Sequence, residues 1–306
     1  AHRTKWILKE FDDFANKEQL SDPHITRNFI KKWRQTRIAD GERTIYAKYS
    51  VWSQLTRMMS RCGCECFIPM LPKQPQVDFT PYIFTDEQIA AIFAAADGCR
   101  LYDIRMGTAL ISIPAILRLL YSTGMRVSEA LSIINKDVKM SEHYIHLRKT
   151  KNGSERIVSI GKELETVLRQ YVTYRDRMPI KGIADDSSLF FVKSDGTPFK
   201  QGAVYQNFKK ILDKCGIPHL GNHHGPRVYD LRHTFAVHSL IRMGKSGMDL
   251  YTGLPILSTV LGHHSLSATE KYVRLPCSMY PELEMQCSEI NAFVYPSSCR
   301  AYDYDD

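Results

Sequence analysis

Two short runs of alternating apolar and polar residues, separated by a charged turn, constrain this fold more than any other feature. His143-Tyr144-Ile145-His146-Leu147 and Arg156-Ile157-Val158-Ser159-Ile160 flank Lys149-Thr150-Lys151-Asn152-Gly153-Ser154. Alternation is the period of a half-buried strand, and Asn-Gly tolerates the positive φ angles of a tight turn, so residues 143–160 are predicted to form a β-hairpin. Elsewhere the spacing is three and four. Trp6, Leu8 and Phe11, then Phe29, Ile30 and Trp33, then Tyr46, Tyr49, Val51, Trp52, Leu55 and Met58-Met59 mark helices between residue 5 and about 66. The fold class predicted is mainly α with a small antiparallel β-sheet.

Gly63 and Pro69 close the last of these helices, and Leu71-Pro72-Lys73-Gln74-Pro75-Gln76-Val77-Asp78 has the composition of an extended linker. The expected organisation is a helical domain over 1–74, a linker over 75–82 and a second domain over 83–306. Thr85-Asp86-Glu87-Gln88 reads as a capping box before Ile89, Ile92 and Phe93. A helix from about Met106 to Ser122 should stop at Gly124 in a left-handed cap. Another runs from about Lys162 to Arg177, a strand is expected at Leu189-Phe190-Phe191-Val192, and further helices continue to about Val294. Leu283, Cys287, Ile290 and Val294 form a narrow apolar stripe on the last of them, followed by the acidic tail Tyr302-Asp303-Tyr304-Asp305-Asp306.

A chain of 306 residues, 43% apolar and 24% charged, has room for two cores. It has no apolar run of the ~18 residues that a bilayer span needs. Ala1-His2-Arg3-Thr4-Lys5-Trp6 is no signal-peptide core, so a cytoplasmic location is expected, nucleoid-associated in a bacterium. Cys62, Cys64 and Cys66 alternate too closely for a zinc site, and reduced thiols are expected. The formal charge is +8, and its distribution is more telling. Between Arg27 and Arg61 nine Lys and Arg face only Asp40 and Glu42, a pattern that fits a polyanionic partner.

Five polar residues spread over about half the chain carry the chemistry: Arg126, Lys151, Arg232, His263 and Tyr272. Two guanidiniums, an imidazole, an ammonium and a phenol suit an anion that a tyrosine attacks. A guanidinium holds two phosphate oxygens at once and keeps its charge. A phenol of pKa ~10 is almost wholly protonated at neutral pH, so it needs cationic neighbours to act as a nucleophile. Lys151 on a hairpin is placed to protonate a departing oxygen. No carboxylate pair or metal-ligand cluster accompanies them, so metal-free phosphoryl transfer on DNA is the expected chemistry. Taken singly, each residue has a plainer reading: Arg126 paired with Glu129, Arg232 with Asp230 at the N-cap of its helix, Tyr272 in a core, and Lys151 in solvent.

The strings STGMRVSEAL, YDLRHTFAVH and LGHHSLSATEKYVRL, in that order and spacing, resemble the signature boxes of the tyrosine recombinase (phage-integrase) family. The similarity is strong over about 80–275 and looser over the basic N-terminal helices, which resemble the family's core-binding domain. The resemblance implies that Arg126 and Arg232 clamp the scissile phosphate. It makes His263 the hydrogen bond to a non-bridging oxygen, Tyr272 the nucleophile, Lys151 the general acid (Lys149 less well aligned) and Glu129 the acid that steadies Arg126. One position departs: three residues before the second arginine the family usually has His or Lys, and this chain has Tyr229, which hydrogen-bonds but is no near-neutral proton shuttle.

What the resemblance implies is a two-domain enzyme, the second domain α+β, that exchanges DNA strands site-specifically, in integration or excision. The route is a 3′-phosphotyrosyl intermediate and a Holliday junction, with neither cofactor nor metal. The implied partners are double-stranded DNA, further copies of the chain in a tetramer assembled through the C-terminal segment, and accessory DNA-bending or directionality factors. Arg27, Lys31, Arg34, Arg43 and Lys48 are the expected phosphate contacts of the first domain. Two alternatives stay open: a relaxing enzyme like the type IB topoisomerases, and a DNA-binding protein of this fold without catalysis.

Overall fold

The structure is a computed structural model that describes residues 2–20, 22–75, 81–99, 110–148, 153, 155–221, 225–263, 265–266, 268–270 and 272. The chain divides into two compact units, Ala1–Asp78 and Phe79–Asp306.

The first unit contains helices α1 (His2–Lys17), α2 (Arg27–Gln35) and α3 (Glu42–Arg61). Thr26 caps α2 by accepting the Phe29 N–H on its hydroxyl at 3.1 Å. The core is aromatic: Phe11 stacks on Trp52 at 3.9 Å and meets Trp33 edge-on at 5.1 Å. The buried face of α1 runs through Ile7, Phe11 and Phe14, so Trp6 and Leu8, expected in that stripe, lie outside it.

Lys48 requires a larger correction. It is 2% exposed, and its ammonium donates to both Glu10 carboxylate oxygens at 2.9 and 2.7 Å and to Asp40 at 2.8 Å. The Trp6 ring lies 5.3 Å from it. A buried ammonium with two carboxylates is a structural ion pair, unavailable to a phosphate. Arg27, Lys31 and Arg43 are exposed, and Arg34 is half-buried with Nη1 donating to the Arg37 carbonyl at 2.8 Å.

The second unit begins with α4 (Asp86–Asp97), whose capping box is formed as expected. Then come α5 (Ile113–Thr123), α6 (Val127–Ala130), β1 (Val138–Lys139), β2 (Tyr144–Leu147) and β3 (Arg156–Ser159). Helices α7 (Lys162–Arg175), α8 (Gln201–Lys214), α9 (Asp230–Lys245) and α10 (Leu250–Leu261) follow. The hairpin pairs Tyr144 with Ser159 and Leu147 with Arg156, and β1 joins its other edge in a three-stranded antiparallel sheet. Lys149 and Lys151, near its tip, lie outside the described residues, as do the helix and acidic tail expected beyond residue 280.

Two expectations shift. Helix α5 begins at Ile113, with Pro114 in its first turn, later than the sequence suggests; residues 100–109 lie outside the described ones. The segment Leu189–Val192 makes only isolated bridges, Ile134 with Leu189 and Val192 with Pro198. The Phe190 N–H donates to the Ile133 carbonyl at 2.9 Å, and side chains satisfy most of the rest in place of a strand. Tyr171 donates to the Phe190 carbonyl and accepts the Val192 N–H, while Ser112 donates to the Val192 carbonyl.

Helix α5 is central, with Ile116, Leu117, Leu119 and Leu120 all at most 1% exposed and α4, α7 and α9 around it. A second apolar cluster joins Ala236, Val237 and Leu240 of α9 to Leu254, Leu257 and Leu261 of α10, and the Tyr272 ring packs into it.

Candidate active site

Arg232 lies in the first turn of α9 and is 1% exposed, so its charge needs partners. It finds them at two helix C-termini. Nη1 donates to the carbonyl of Gly124, the cap of α5, at 2.6 Å, and Nη2 donates to the carbonyl of Leu261, the last residue of α10, at 2.8 Å. Carbonyls at helix ends lack intrahelical partners and carry the negative end of the dipole, so both favour a cation. Nε is buried with no partner among the described residues, a donor left for an incoming anion. Asp230 does not pair with Arg232; it accepts the Arg227 N–H at 2.7 Å. Nor is it the N-cap, which is Tyr229.

Gly124 has φ +62°, and a Cβ there would lie 2.4 Å from Cδ1 of Phe235 and 2.8 Å from Cδ2 of Leu261. The turn therefore needs glycine for its conformation and for the close approach of α9 and α10.

Arg126 caps α6, and the Glu129 side chain serves it twice, accepting its N–H at 2.9 Å and its Nη1 at 2.7 Å. The same carboxylate takes Nη1 of Arg156 at 3.2 Å and Nη2 at 2.8 Å. Burial opposes ionisation of Glu129, but the hydrogen bonds and charges of Arg156 and Arg126 outweigh it and hold its carboxyl below the usual range. Arg156 also donates through Nε to the Val260 carbonyl at 3.2 Å, tying β3 to α10. Gly262 (φ +66°) lies against this guanidinium, and a Cβ there would be 2.9 Å from Nη1. One carboxylate thus stands against the guanidiniums of Arg126 and Arg156, with Arg232 close enough to feel the Arg126 charge. The excess is positive.

His263 bridges the arginines and the tyrosine. Its Nε2 lies 3.0 Å from Arg232 Nη2 and its Nδ1 2.8 Å from the Thr269 hydroxyl. A guanidinium only donates, so Nε2 accepts and the proton sits on Nδ1. Burial, then the charges of Arg232, Arg126 and Arg156, push His263 down to about 4, which keeps it neutral. Its ring is nearly parallel to that of Tyr272, centroids 6.3 Å apart.

Tyr272 is 5% exposed, with its hydroxyl 2.8 Å from Nδ1 of His233. Burial pushes the phenol up to about 12, against the opposing charge and hydrogen bond of Arg232. Burial, then the Arg232 charge, pushes His233 down to about 4. Tyr229 is 39% exposed and packs edge-on against His233 at 4.9 Å, one helical turn away.

Arg126, Arg232, His263 and Tyr272, which the sequence singles out, therefore share one site with Tyr229 and Glu129. Sequence reasoning missed Arg156 and His233. His233 carried a signal, being next to Arg232 and four residues from Tyr229; Arg156 sat in an alternating strand where its pairing across the fold left no local trace.

The sequence profile of the Phage integrase family matches residues 83–277. The chain is 28% identical over 273 residues to the protein y4rB of Sinorhizobium fredii, named an integrase/recombinase, covering 85% of this chain and 83% of that one. It is 36% identical over 163 residues to the tyrosine recombinase XerA of Saccharolobus solfataricus, covering 52% of this chain and 45% of that one. In fold it resembles the Tn1549 transposon integrase, solved in complex with circular intermediate DNA. The TM-score is 0.63 at 18% identity, over 89% of each chain.

Proposed function

The chain belongs to the Phage integrase family, the tyrosine recombinases, and from that premise we propose that it exchanges DNA strands through Tyr272. The observation that carries the reading is the convergence of α5–α6, α9, α10 and the segment holding Tyr272 on one positive site. There Arg232 is preorganised by two helix ends and the phenol sits within its field. Fixed donors aimed at the developing charge stabilise the transition state without reorganising.

In this reading Arg126 and Arg232 grip a non-bridging oxygen pair of the scissile phosphate. The Tyr272 oxygen bonds to phosphorus while the bond to the 5′ oxygen breaks, leaving a 3′-phosphotyrosyl ester and a 5′-hydroxyl. Lys151 supplies the leaving oxygen with its proton. His263 holds Arg232 in the free enzyme; a bound phosphate favours proton uptake at Nε2, after which the ring donates to a non-bridging oxygen. A 5′-hydroxyl from a partner strand then attacks the phosphotyrosine, and two such exchanges pass through a Holliday junction. Because one ester replaces another, no energy-rich cofactor is needed. Arg27, Lys31, Arg34 and Arg43 contact duplex phosphates, and the C-terminal segment joins copies of the chain into a tetramer. Lys48 is left out of the DNA contacts.

The test is a nicked suicide duplex carrying the target site, from which a cleaved end diffuses away. Wild type should form a denaturant-resistant protein–DNA adduct. Tyr272→Phe should form none while binding the duplex with near-normal affinity, since the ring packing survives. An adduct with the Phe variant removes Tyr272 as nucleophile. No adduct with wild type favours the catalytically silent alternative.

A further inference from the structure

We propose that His233 is a further catalytic residue, the base that takes the Tyr272 phenolic proton as its oxygen attacks phosphorus. The inference rests on the reading of Tyr272 as the nucleophile and adds the group that activates it.

Geometry selects His233 by elimination. Its Nδ1 is 2.8 Å from the Tyr272 hydroxyl, with ring centroids 5.5 Å apart. Arg232, which acts on the same hydroxyl, only donates, so the phenolic proton is free to point at His233. In the tautomer with the ring proton on Nε2, Nδ1 is the bare nitrogen that accepts it. Among the described residues, the other basic groups of the site are committed elsewhere. His263 faces Tyr272 ring to ring and directs its nitrogens at Arg232 and Thr269. Glu129 is held by Arg126 and Arg156, and Asp230 by Arg227. Tyr229 is a phenol, no better a base than the one it would activate.

The proton balance closes. A lone pair of the Tyr272 oxygen forms the O–P bond, and its proton passes to Nδ1, leaving His233 an imidazolium. The P–O5′ bond breaks with its electron pair on O5′, which takes a proton from Lys151. In the return step the incoming 5′-hydroxyl gives its proton to the Lys151 amine, and His233 hands its own back to the departing tyrosyl oxygen. Both groups end as they began.

The values of about 12 for Tyr272 and about 4 for His233 keep the proton on oxygen in the resting site. The groups that set the His233 value are Arg232, Arg227 and His263, apart from burial. A phosphate bound to Arg232 offsets one of those charges and raises His233, and a phenol bonding to phosphorus becomes strongly acidic. Transfer therefore accompanies attack.

The experiment uses full-length protein on the suicide duplex, with His233→Ala, His233→Asn, and fluorinated tyrosine at position 272. Asn keeps an acceptor near the Nδ1 position but takes no proton. Both variants should form adduct on the order of 10²–10⁴-fold more slowly, with duplex affinity within a few-fold of wild type. A more acidic fluorotyrosine should restore part of the loss. Asn cleaving within a few-fold of wild type, or a defect indifferent to phenol acidity, overturns the proposal while leaving Tyr272 as nucleophile. If wild type forms no adduct, the functional reading falls and this inference with it. Should both variants fail to fold, wild type decides it on a 5′-bridging phosphorothiolate, whose sulfur leaves unprotonated. A solvent deuterium isotope effect on adduct formation is expected there, and its absence refutes His233 as the base.

Discussion

Replacing Gly124 with alanine should damage both the stability of the second unit and the phosphate clamp. At φ +62° a side chain costs about 1–2 kcal/mol. The new Cβ would also lie 2.4 Å from Phe235 Cδ1 and 2.8 Å from Leu261 Cδ2, distances that force α9 or α10 to move. Overpacking of that kind costs about 1–3 kcal/mol, so the total is about 2–5 kcal/mol. For a unit of this size that is a fall in Tm of roughly 5–15 °C. The assay follows from where the tryptophans lie. Trp6, Trp33 and Trp52, all three in the chain, are in the first unit. Tryptophan emission therefore reports the first unit, while far-UV circular dichroism reports both. Gly124→Ala should lower the dichroism transition and leave the emission transition in place. It should also slow DNA cleavage, because the Gly124 carbonyl that holds Arg232 at 2.6 Å is displaced. A dichroism transition superimposable on that of wild type would refute the close packing on which the argument depends.

Three other outcomes are expected. Arg126→Lys and Arg232→Lys should each lose about 2.7–4 kcal/mol of transition-state stabilisation, because an ammonium cannot reproduce the forked contacts; cleavage within a few-fold of wild type would argue against a clamp. Lys48→Ala should destabilise the first unit by about 1–3 kcal/mol, since it leaves Asp40 without its ammonium and Glu10 with Arg37 alone, and lower the tryptophan transition. Arg43→Ala should leave that transition alone and reduce the salt slope of duplex binding by about one; the reverse pattern would restore Lys48 as a phosphate contact. The third concerns pH. His233 and His263, both near 4 when folded and about 6.5 when unfolded, are protonated first in the unfolded chain as pH falls. Their contribution is therefore fully present above about 6.5 and lost as pH drops toward 4. The denaturant midpoint of the second unit should fall over that window, less steeply in His233→Asn, and an unchanged slope in the variant would exclude His233 from the effect.

How much was legible from sequence depended on how local each cause was. The Thr85 capping box, the Gly124 cap and the Asn152-Gly153 hairpin are set by a few neighbouring residues, and the elements they predict are present. The 189–192 segment misled because Phe190, Phe191 and Val192 look like a strand, yet Tyr171, Ser112 and Arg175 satisfy most of its backbone from far along the chain. Lys48 misled for the same reason. A lysine among basic residues reads as surface, and only Glu10, thirty-eight positions away, shows otherwise. In the site, the family-like strings singled out Arg126, Arg232, His263 and Tyr272, with Glu129 behind Arg126, but not the partners that reach them from far along the chain. Arg156 reaches Glu129 across 27 positions, and His233 reaches Tyr272 across 39.

Those supporting contacts explain why a buried arginine can serve as a clamp. A guanidinium at 1% exposure is costly unless every donor is met, and a site that met every donor would have nothing left for substrate. Arg232 resolves this by using backbone carbonyls at the ends of α5 and α10, with His263 as a neutral acceptor, and leaving Nε unmet among the described residues. None of these partners carries a negative charge, so the positive field survives to meet a phosphate. Arg126 is treated oppositely, with Glu129 against it, but Arg156 takes the other side of that carboxylate and cancels most of its effect. The phenol buried beside these charges stays protonated at rest, with His233 as its hydrogen-bond partner. On the proposed reading, an anion is therefore drawn in before the phenol gives up its proton, which would limit attack to a phosphate already held between the two arginines.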